Sequence, residues 1–242
     1  MINTAQTETP AGQRTVGLIG GMSWASTATY YRLINEDVAA RLGGLHSARL
    51  LIHSFDFHDI EALQQAGDWD AAGEALAQAG LGLRRAGAEA LVICANTMHK
   101  VAAAVEAASG LPVLHVADAT AQAVLATPAR RVGLLGTRYT MEQAFIRDRL
   151  TANGLEVIIP ADDERILVNR VIYDELCQGQ VMDASREAYD RIIAALVGRG
   201  AEAIILGCTE LGLLVEAAPV PLFDTTVLHA RAAADFAVGA AS

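Results

Sequence analysis

The sequence of 242 residues has little positive charge, few cysteines and no long apolar segment. Its 28 acidic residues outnumber its 18 lysine and arginine residues, which gives a formal net charge of −10. A nucleic-acid or anionic-membrane partner is therefore not expected, because both bind basic surfaces. No segment approaches the roughly 18 to 20 consecutive apolar residues of a membrane span. Residues 1–14 lack the apolar core of a signal peptide and the cysteine count of three is odd, so we expect reduced thiols in the cytoplasm.

The hydrophobic content of 52% is sufficient for a folded core, and the core-forming segments occur twice. RTVGLIGG at 14–21 recurs as RRVGLLGT at 130–137. GAEALVIC, which ends at Cys94, recurs as GAEAIILGC, which ends at Cys208 and has one extra residue before the cysteine. A third, looser match follows in the same order. The nearly constant spacing indicates two homologous halves of roughly 100 residues each.

Both halves alternate short apolar segments with longer amphipathic segments rich in alanine. The predicted strands lie at 16–19, 48–53, 90–93, 113–116, 132–135, 155–159, 203–206 and 222–223. The predicted helices lie at 26–42, 69–86, 97–108, 141–153, 163–178, 184–199 and 225–240. Such alternation produces parallel sheets with helices on both faces. We therefore predict an α/β fold of two similar three-layer α/β/α domains, related by pseudo-two-fold symmetry with a cleft between them. Residues 14–117 plus 225–242 form the first predicted domain, and residues 118–224 the second.

The carboxyl ends of the predicted strands are the place to seek a site, because parallel α/β sheets bind ligands there. Cys94 ends a buried strand in the first half, and Cys208 ends the matching strand in the second. Each is followed closely by a threonine, and we expect each to open a helix. A helix N-terminus lowers the pKa of a thiol from about 8.5 toward neutrality. We predict that these two thiols face each other across the cleft.

Two facing thiols suit the inversion of a carbon centre. One thiolate removes a proton from one face while a thiol on the other face delivers a proton, and exchanging their roles reverses the reaction. Strand-end hydroxyl and amide groups could hold a substrate carboxylate while carbanion character develops. These groups belong to Asn96, Thr97, Thr137 and Thr209. The pattern favours a racemase or epimerase that works without pyridoxal phosphate.

Other catalytic and binding motifs are missing from the sequence. The turn GLIGG at 17–21 is neither a dinucleotide fingerprint nor a phosphate-binding loop. No spacing typical of zinc ligands occurs, and no G-x-S-x-G element of a serine hydrolase. We therefore expect no nucleotide and no metal. Cys177 lies in a predicted helix without a nearby glycine turn, and we predict that it is a small buried hydrophobe.

Three segments resemble signatures of the aspartate/glutamate racemase superfamily: GGMSW at 20–24, CANTMH at 94–99 and GCTE at 207–210. The longer segments LHSA, DFH and LGTRYTME are similar to a branch of bacterial racemases. This branch contains the broad-specificity and the L-aspartate/glutamate-specific amino-acid racemases. The resemblance extends from Arg14 to the C-terminus.

The resemblance implies two α/β domains, an active site in the cleft, an amino-acid substrate, no cofactor and commonly a homodimer. It implies that Cys94 and Cys208 are the two bases, with Cys208 serving the L-antipode and Cys94 the D-antipode. The implied contacts of the substrate carboxylate and ammonium are Asn96, Thr97, Thr137 and Thr209, and Met22 and Ser23 line the pocket.

Two departures from the family pattern bear on the substrate. Ala25 stands where the branch usually has glutamate. Archaeal aspartate racemases hold the side-chain carboxylate with an arginine and a lysine, at positions that fall near Glu61 and Cys177. Without those cations, only Arg49 or Arg138 could supply a partner for a second carboxylate. We therefore expect activity on uncharged polar amino acids as well as on aspartate and glutamate.

Two other functions are compatible with this fold. The first is an arylmalonate-decarboxylase-like or maleate-isomerase-like enzyme. Such decarboxylases keep one cysteine, so the presence of both Cys94 and Cys208 argues against a decarboxylase. The second is a two-lobed small-molecule binding protein, which would not need thiols on both walls.

Overall fold

The computed structural model describes residues 12–239, which form two parallel β-sheets surrounded by helices. The predictions for residues 1–11 and 240–242, including the N-terminal segment and the end of the last predicted helix, lie outside the described residues. The predicted α/β fold is confirmed. No helix within residues 12–239 is long and apolar enough to cross a membrane.

The first sheet has three strands in the order β2-β1-β3. They are β1 (Val16–Gly20), β2 (Leu50–Ser54) and β3 (Ala90–Ile93). The helices of this half of the chain are α1 (Trp24–Leu42), α2 (Phe57–Ala66), α3 (Trp69–Arg85), α4 (Ala102–Ser109) and α5 (Val116–Leu125). Helix α5 packs against the other sheet. A 3-10 helix, Thr97–Val101, precedes α4. Every residue of β1 is buried, as expected for the central strand of a covered parallel sheet.

The predicted strand at 113–116 is wrong. Only a single bridge joins Val113 to Leu91, because helix α5 begins at Val116. The side chain of His115 accepts a hydrogen bond from the Ala117 N–H and so caps this helix. Helices α2 and α5 are additional to those predicted, and the predicted domain boundary at Asp118 falls within α5.

The second sheet has four strands in the order β5-β4-β6-β7. They are β4 (Arg131–Gly136), β5 (Glu156–Ile158), β6 (Ala203–Gly207) and β7 (Leu222–Asp224). The helices of this half of the chain are α6 (Arg138–Glu142), α7 (Ala144–Ala152), α8 (Asp162–Asp174), α9 (Asp183–Gly198) and α10 (Thr225–Val238). Short 3-10 helices lie at Leu176–Gln178 and Leu211–Leu213. The predicted helix at 141–153 is interrupted at Gln143, whose backbone is extended.

Helix α10 returns from the second sheet to the first half of the chain. It packs against α1 and α5 and contributes Ala230, Ala233 and Ala237 to the core beneath β1. Small side chains at these positions allow the helices to approach closely. The carboxyl ends of β3 and β6 are thereby held facing the same cavity.

Candidate active site

A cavity of about 40 Å³ lies where the strand ends of both sheets meet. Its walls contain seven of the eight predicted site residues, namely Met22, Ser23, Asn96, Thr97, Thr137, Cys208 and Thr209. The other lining residues are Phe57, Gln64, Ala95, Ile172, Tyr173, Cys177, Gly207 and Glu210.

A tight turn after β1 brings the first half to this cavity. Gly21 has a φ of +88°, and a Cβ atom there would lie 2.2 Å from the backbone oxygen of Phe55. Only glycine fits a left-handed position approached so closely by another backbone segment. The turn places Met22 and Ser23 on the wall, and the Ser23 hydroxyl caps α1 by accepting from the Ser26 N–H.

The Glu210 carboxylate organises the Cys208 side of the cavity. Its Oε2 accepts hydrogen bonds from the Cys208 thiol at 3.1 Å and the Thr209 hydroxyl at 2.5 Å. Its Oε1 accepts from the hydroxyls of Ser23 at 3.1 Å and Ser26 at 2.9 Å. One carboxylate therefore joins the two halves at the site. Glu210 is not among the predicted site residues, although it directly follows Cys-Thr at the end of a predicted strand.

The pKa of the Cys208 thiol is raised well above its ordinary value. Burial is the main cause, and the negative charge of Glu210 adds to it. The expected lowering by a helix N-terminus is wrong, because no α-helix begins at either predicted cysteine. The segments that follow form only the short 3-10 helices Thr97–Val101 and Leu211–Leu213. The neutral thiol is thus the stable form in the unliganded site.

Cys94 does not reach this cavity. Its side chain is fully buried and packs in the core with Val92 and Tyr30. Burial raises the pKa of this thiol far above its ordinary range. The prediction that Cys94 faces Cys208 across this cavity is therefore wrong.

The alternation of side chains along β3 explains this placement. Val92 and Cys94 pack on one face of the first sheet, whereas Ile93 and Ala95 pack on the other. Successive side chains of a strand point to opposite faces. Ala95 therefore continues the face of Ile93 and forms the cavity wall.

The register of the repeat makes Ala95 the counterpart of Cys208. Ile93 and Leu206 hold equivalent positions, each paired with the matching residue of the neighbouring central strand. The second residue after each is Ala95 in the first sheet and Cys208 in the second. Matching the two cysteines instead requires a shift of one residue, which moves the side chain to the opposite face. The ungapped match of GAEALVI to GAEAIIL contains this signal.

Cys177 belongs to the cavity, contrary to the prediction that it is only a buried hydrophobe. It lies in the 3-10 helix after α8, is partly exposed and lines the wall near Tyr173. Burial, with a smaller contribution from the charge of Glu210, raises the pKa of its thiol to about 12.

The ionisable side chains of the cavity all come from the second half of the chain. They are Tyr173, Cys177, Cys208 and Glu210. The lining residues of the first half are apolar, hydroxyl-bearing or amide-bearing. Among the residues that the structure describes, no lysine, arginine or histidine lines the cavity.

Hydroxyl and amide groups complete the polar wall. The hydroxyl oxygens of Thr97 and Thr137 lie 3.1 Å apart and so connect the two halves. The Asn96 amide donates to the Thr225 hydroxyl at 3.0 Å. The arrangement provides neutral hydrogen-bonding groups opposite one anionic residue, Glu210.

A wider groove of about 850 Å³ lies outside the cavity and shares Gln64 and Tyr173 with it. Arg138, a possible partner for a second substrate carboxylate, lies in this groove, as does Glu61, near which one of the family's cations would fall. Arg138 forms an ion pair with Glu142 at 3.2 Å and does not line the cavity. Within residues 12–239, no group of three or more histidine, cysteine, aspartate or glutamate side chains is arranged to hold a metal ion.

This fold and site define a class: two-sheet α/β proteins with a cavity between the strand ends of the two sheets and a thiol and a carboxylate on one of its walls. The profile of the Asp/Glu/Hydantoin racemase family matches residues 19–233. A Yersinia pestis protein described as a candidate Asp/Glu racemase is 56% identical, with a TM-score of 0.89 over 93% of this chain and 99% of that one. An aspartate racemase homologue from Pyrococcus horikoshii is 33% identical, with a TM-score of 0.81 over the same shares.

The broad-specificity amino-acid racemase RacX of Bacillus subtilis is 25% identical over 166 residues, which are 68% of this chain and 71% of that protein. Taken with the family match over most of its length, this similarity agrees with the resemblance described above. The chain belongs to the Asp/Glu/Hydantoin racemase family.

Proposed function

We propose that this protein is an amino-acid racemase in which the Cys208 thiol moves the α-proton without a cofactor. One observation carries the proposal: Cys208 lies on the cavity wall with its thiol bonded to the Glu210 carboxylate. Membership of the racemase family supports the reaction class.

The neighbours of Cys208 suggest how the substrate is held. The Glu210 carboxylate provides the negative charge that attracts a substrate ammonium, and that cation offsets the effect of Glu210 on the thiol pKa. Asn96, Thr97 and Thr137 carry the donors for the substrate carboxylate, which gains negative charge as the α-proton leaves. Glu210 Oε2, already the acceptor for the Cys208 thiol, takes the proton when the thiolate forms.

The size of the cavity requires the two halves to separate during the cycle. Its volume of about 40 Å³ holds no more than a few water molecules, since about 10–15 Å³ suffices for one by a comparable measure. An amino acid enters only after contacts such as that between the Thr97 and Thr137 hydroxyls are broken. Closure around the substrate then excludes water and strengthens the electrostatic interactions of the site.

The lining residues also bear on the choice of amino acid. Because no lysine, arginine or histidine within residues 12–239 lines the cavity, the side-chain carboxylate of an acidic substrate forms no ion pair there. We propose that amino acids with uncharged polar side chains are substrates in addition to aspartate and glutamate. Turnover of aspartate alone in a chiral-chromatography panel would contradict this choice.

Substitution of single cysteines tests the role of Cys208. Cys208→Ala abolishes interconversion of antipodes, whereas the matched variant Cys94→Ala retains it, because Cys94 packs in the core. Chiral chromatography of each purified variant, after circular dichroism confirms folding, provides the measurement. Full activity of Cys208→Ala would contradict the proposal.

Ala95 favours a second candidate, an arylmalonate-decarboxylase-like activity. Such a decarboxylase keeps one cysteine in the cleft, and here Cys208 lines the cavity whereas Cys94 does not. Loss of carbon dioxide from a malonate leaves a carbanion that one thiol protonates from one face, so Cys208 suffices. Release of carbon dioxide from phenylmalonate, with no interconversion of amino-acid antipodes, would favour this candidate.

The homodimer and the cytoplasmic location are retained as part of the proposal. Trp24 and Tyr31 are 76% and 51% exposed on α1, which provides aromatic surface suited to an interface. Sedimentation equilibrium of the purified protein measures the oligomeric state. A monomer at micromolar concentration would contradict the dimer.

A further inference from the structure

The two walls of the cavity differ in their capacity to move protons. Cys208 and Glu210 provide a thiol and a carboxylate on the wall of the second half. The equivalent position on the facing wall is Ala95, whose methyl group neither gives nor accepts a proton. The neighbours of Ala95 at that strand end, Asn96 and Thr97, carry an amide and a hydroxyl that do not ionise near neutral pH.

We infer that this enzyme exchanges the α-proton of one antipode much faster than it inverts the α-carbon. The inference rests on the proposed racemase function and specifies how it operates. A two-sided site inverts a carbon by taking the proton on one face and returning another on the opposite face. Here Cys208 does both on its own face, and the Ala95 side chain offers no group that gives or takes a proton on the other.

The proton balance distinguishes two outcomes of the same intermediate. Glu210 first accepts the Cys208 proton, and the resulting thiolate removes the α-proton, which leaves a carbanion stabilised through its carboxylate. In heavy water the thiol proton exchanges with solvent, and its return as a deuteron gives the labelled original antipode. Inversion requires a water molecule to donate a proton on the Ala95 face, and the hydroxide that remains takes the Glu210 proton, which restores the thiol and the carboxylate. When the deuteron returns from Cys208 instead, Glu210 passes its proton back to the thiolate.

Inversion is the slower of the two outcomes, because water is a far weaker acid than a thiol. The pKa of water is about 15.7, against about 8.5 for an unperturbed thiol. Replacing Ala95 with cysteine places a thiol at the position equivalent to Cys208. This substitution restores a donor on the second face without altering the residues around Cys208.

The test compares deuterium uptake with inversion in four forms of the full chain. Wild type, Ala95→Cys, Ala95→Ser and Cys94→Ala are incubated in heavy water with L- and D-alanine, serine, asparagine, aspartate and glutamate. Proton NMR measures loss of the α-proton signal, and chiral chromatography measures inversion. Ala95→Ser is the size control, since its hydroxyl resembles a thiol in bulk but not in acidity. Cys94→Ala is the control that removes the buried cysteine next to Ala95.

For wild type and Cys94→Ala, we expect one antipode to exchange at least tenfold faster than it inverts. Ala95→Cys increases inversion at least tenfold relative to exchange, and Ala95→Ser does not. Inversion by wild type as fast as its exchange, or loss of inversion in Cys94→Ala, would overturn the inference while leaving the racemase function in place. Unchanged inversion in an Ala95→Cys variant that still exchanges would also overturn it. Exchange of neither antipode by any folded form would overturn the proposed function itself.

Discussion

At the scale of single residues, Glu210 controls the state of the Cys208 thiol. Its Oε2 is 3.1 Å from the sulfur atom, and its charge is the second cause, after burial, of the raised thiol pKa. A carboxylate this close opposes formation of a thiolate unless it accepts the proton or is neutralised by a substrate cation. Glu210 therefore keeps the free site in its thiol form.

Substitution of Glu210 by glutamine shifts the titration of Cys208. The amide removes the negative charge, so the pKa of the Cys208 thiol falls relative to that of the unsubstituted protein. The measurement is the pH dependence of alkylation by iodoacetamide, with Cys94 and Cys177 replaced by alanine so that only Cys208 reacts. Glu216→Gln is the matched control, because Glu216 is exposed and paired with Arg186 at 3.4 Å. An unchanged or higher apparent pKa in Glu210→Gln would contradict this role.

At the scale of elements, the strands were predictable because β1, β3, β4 and β6 are short apolar segments bounded by glycine or proline. Their order along the chain also gave the parallel sheets. The segment at 113–116 has the same composition, yet the His115 cap starts a helix there, and this depends on a side-chain hydrogen bond that an apolar pattern does not reveal.

The residue types at the end of β3 did not reveal which side chains point to the core and which to the cavity. Two cysteines near equivalent strand ends suggested a pair, but one position along a strand separates a core side chain from a cavity side chain. The contribution of Glu210 depends on contacts with Ser23 and Ser26, which lie far away in sequence, so its role appeared only in three dimensions.

Three buried histidines connect the elements behind the site. The ring centroids of His99 and His115 are 4.6 Å apart, and those of His99 and His229 are 5.3 Å apart. His99 and His115 each accept a hydrogen bond from a backbone N–H in the first turn of α5, which requires one unprotonated ring nitrogen. Packing of α5 and α10 therefore depends on neutral imidazoles.

Acidification destabilises this packing. Burial lowers the pKa of His115 to about 3 and that of His229 to about 4, below the value near 6.5 in an unfolded chain. The unfolded chain then binds more protons, so this stability is complete above about pH 6.5 and is lost as the pH falls toward the folded-state values. We expect each histidine to reduce the free energy of unfolding by about 2 kcal/mol between pH 7.5 and pH 5. Urea unfolding followed by circular dichroism at both pH values measures the change.

Two variants separate this effect from general acid sensitivity. His115→Asn keeps a side-chain acceptor for the Ala117 N–H but does not titrate, so the loss of stability at pH 5 becomes smaller. His58→Asn changes an exposed histidine and leaves the loss as in wild type. An equal decrease in the free energy of unfolding at pH 5 in His115→Asn and wild type would show that His115 does not cause the acid sensitivity.

At the scale of the whole molecule, the site is closed by hydrogen bonds between the two halves. The Ser26 hydroxyl on α1 is 2.6 Å from the Thr209 hydroxyl and donates to Glu210. On the other side of the cavity, the Tyr139 hydroxyl donates to the backbone oxygen of Gln64 at 3.2 Å. These contacts form only when the halves approach, so they stabilise the closed arrangement, which we propose holds the substrate.

Removal of the Ser26 hydroxyl weakens closure. Ser26→Ala loses a hydrogen bond to a charged group, worth about 1.5–3 kcal/mol, so we expect KM to rise by roughly tenfold or more. Thr29→Ala is the matched control on the same helix, because its hydroxyl bonds only within α1, to the backbone oxygen of Ala25. Steady-state kinetics with the best amino acid of the panel measures both variants. An equal change in KM for Ser26→Ala and Thr29→Ala would argue against a closing role for Ser26.

The central claim is that Cys208, and not Cys94, moves the proton. The most direct measurement is deuterium incorporation at the α-carbon by the Cys208→Ala and Cys94→Ala variants in heavy water, followed by proton NMR. The structure predicts that Cys208→Ala incorporates no deuterium into either antipode, while Cys94→Ala incorporates it at the wild-type rate. Incorporation that persists in Cys208→Ala and disappears in Cys94→Ala, with both variants folded, would contradict the account.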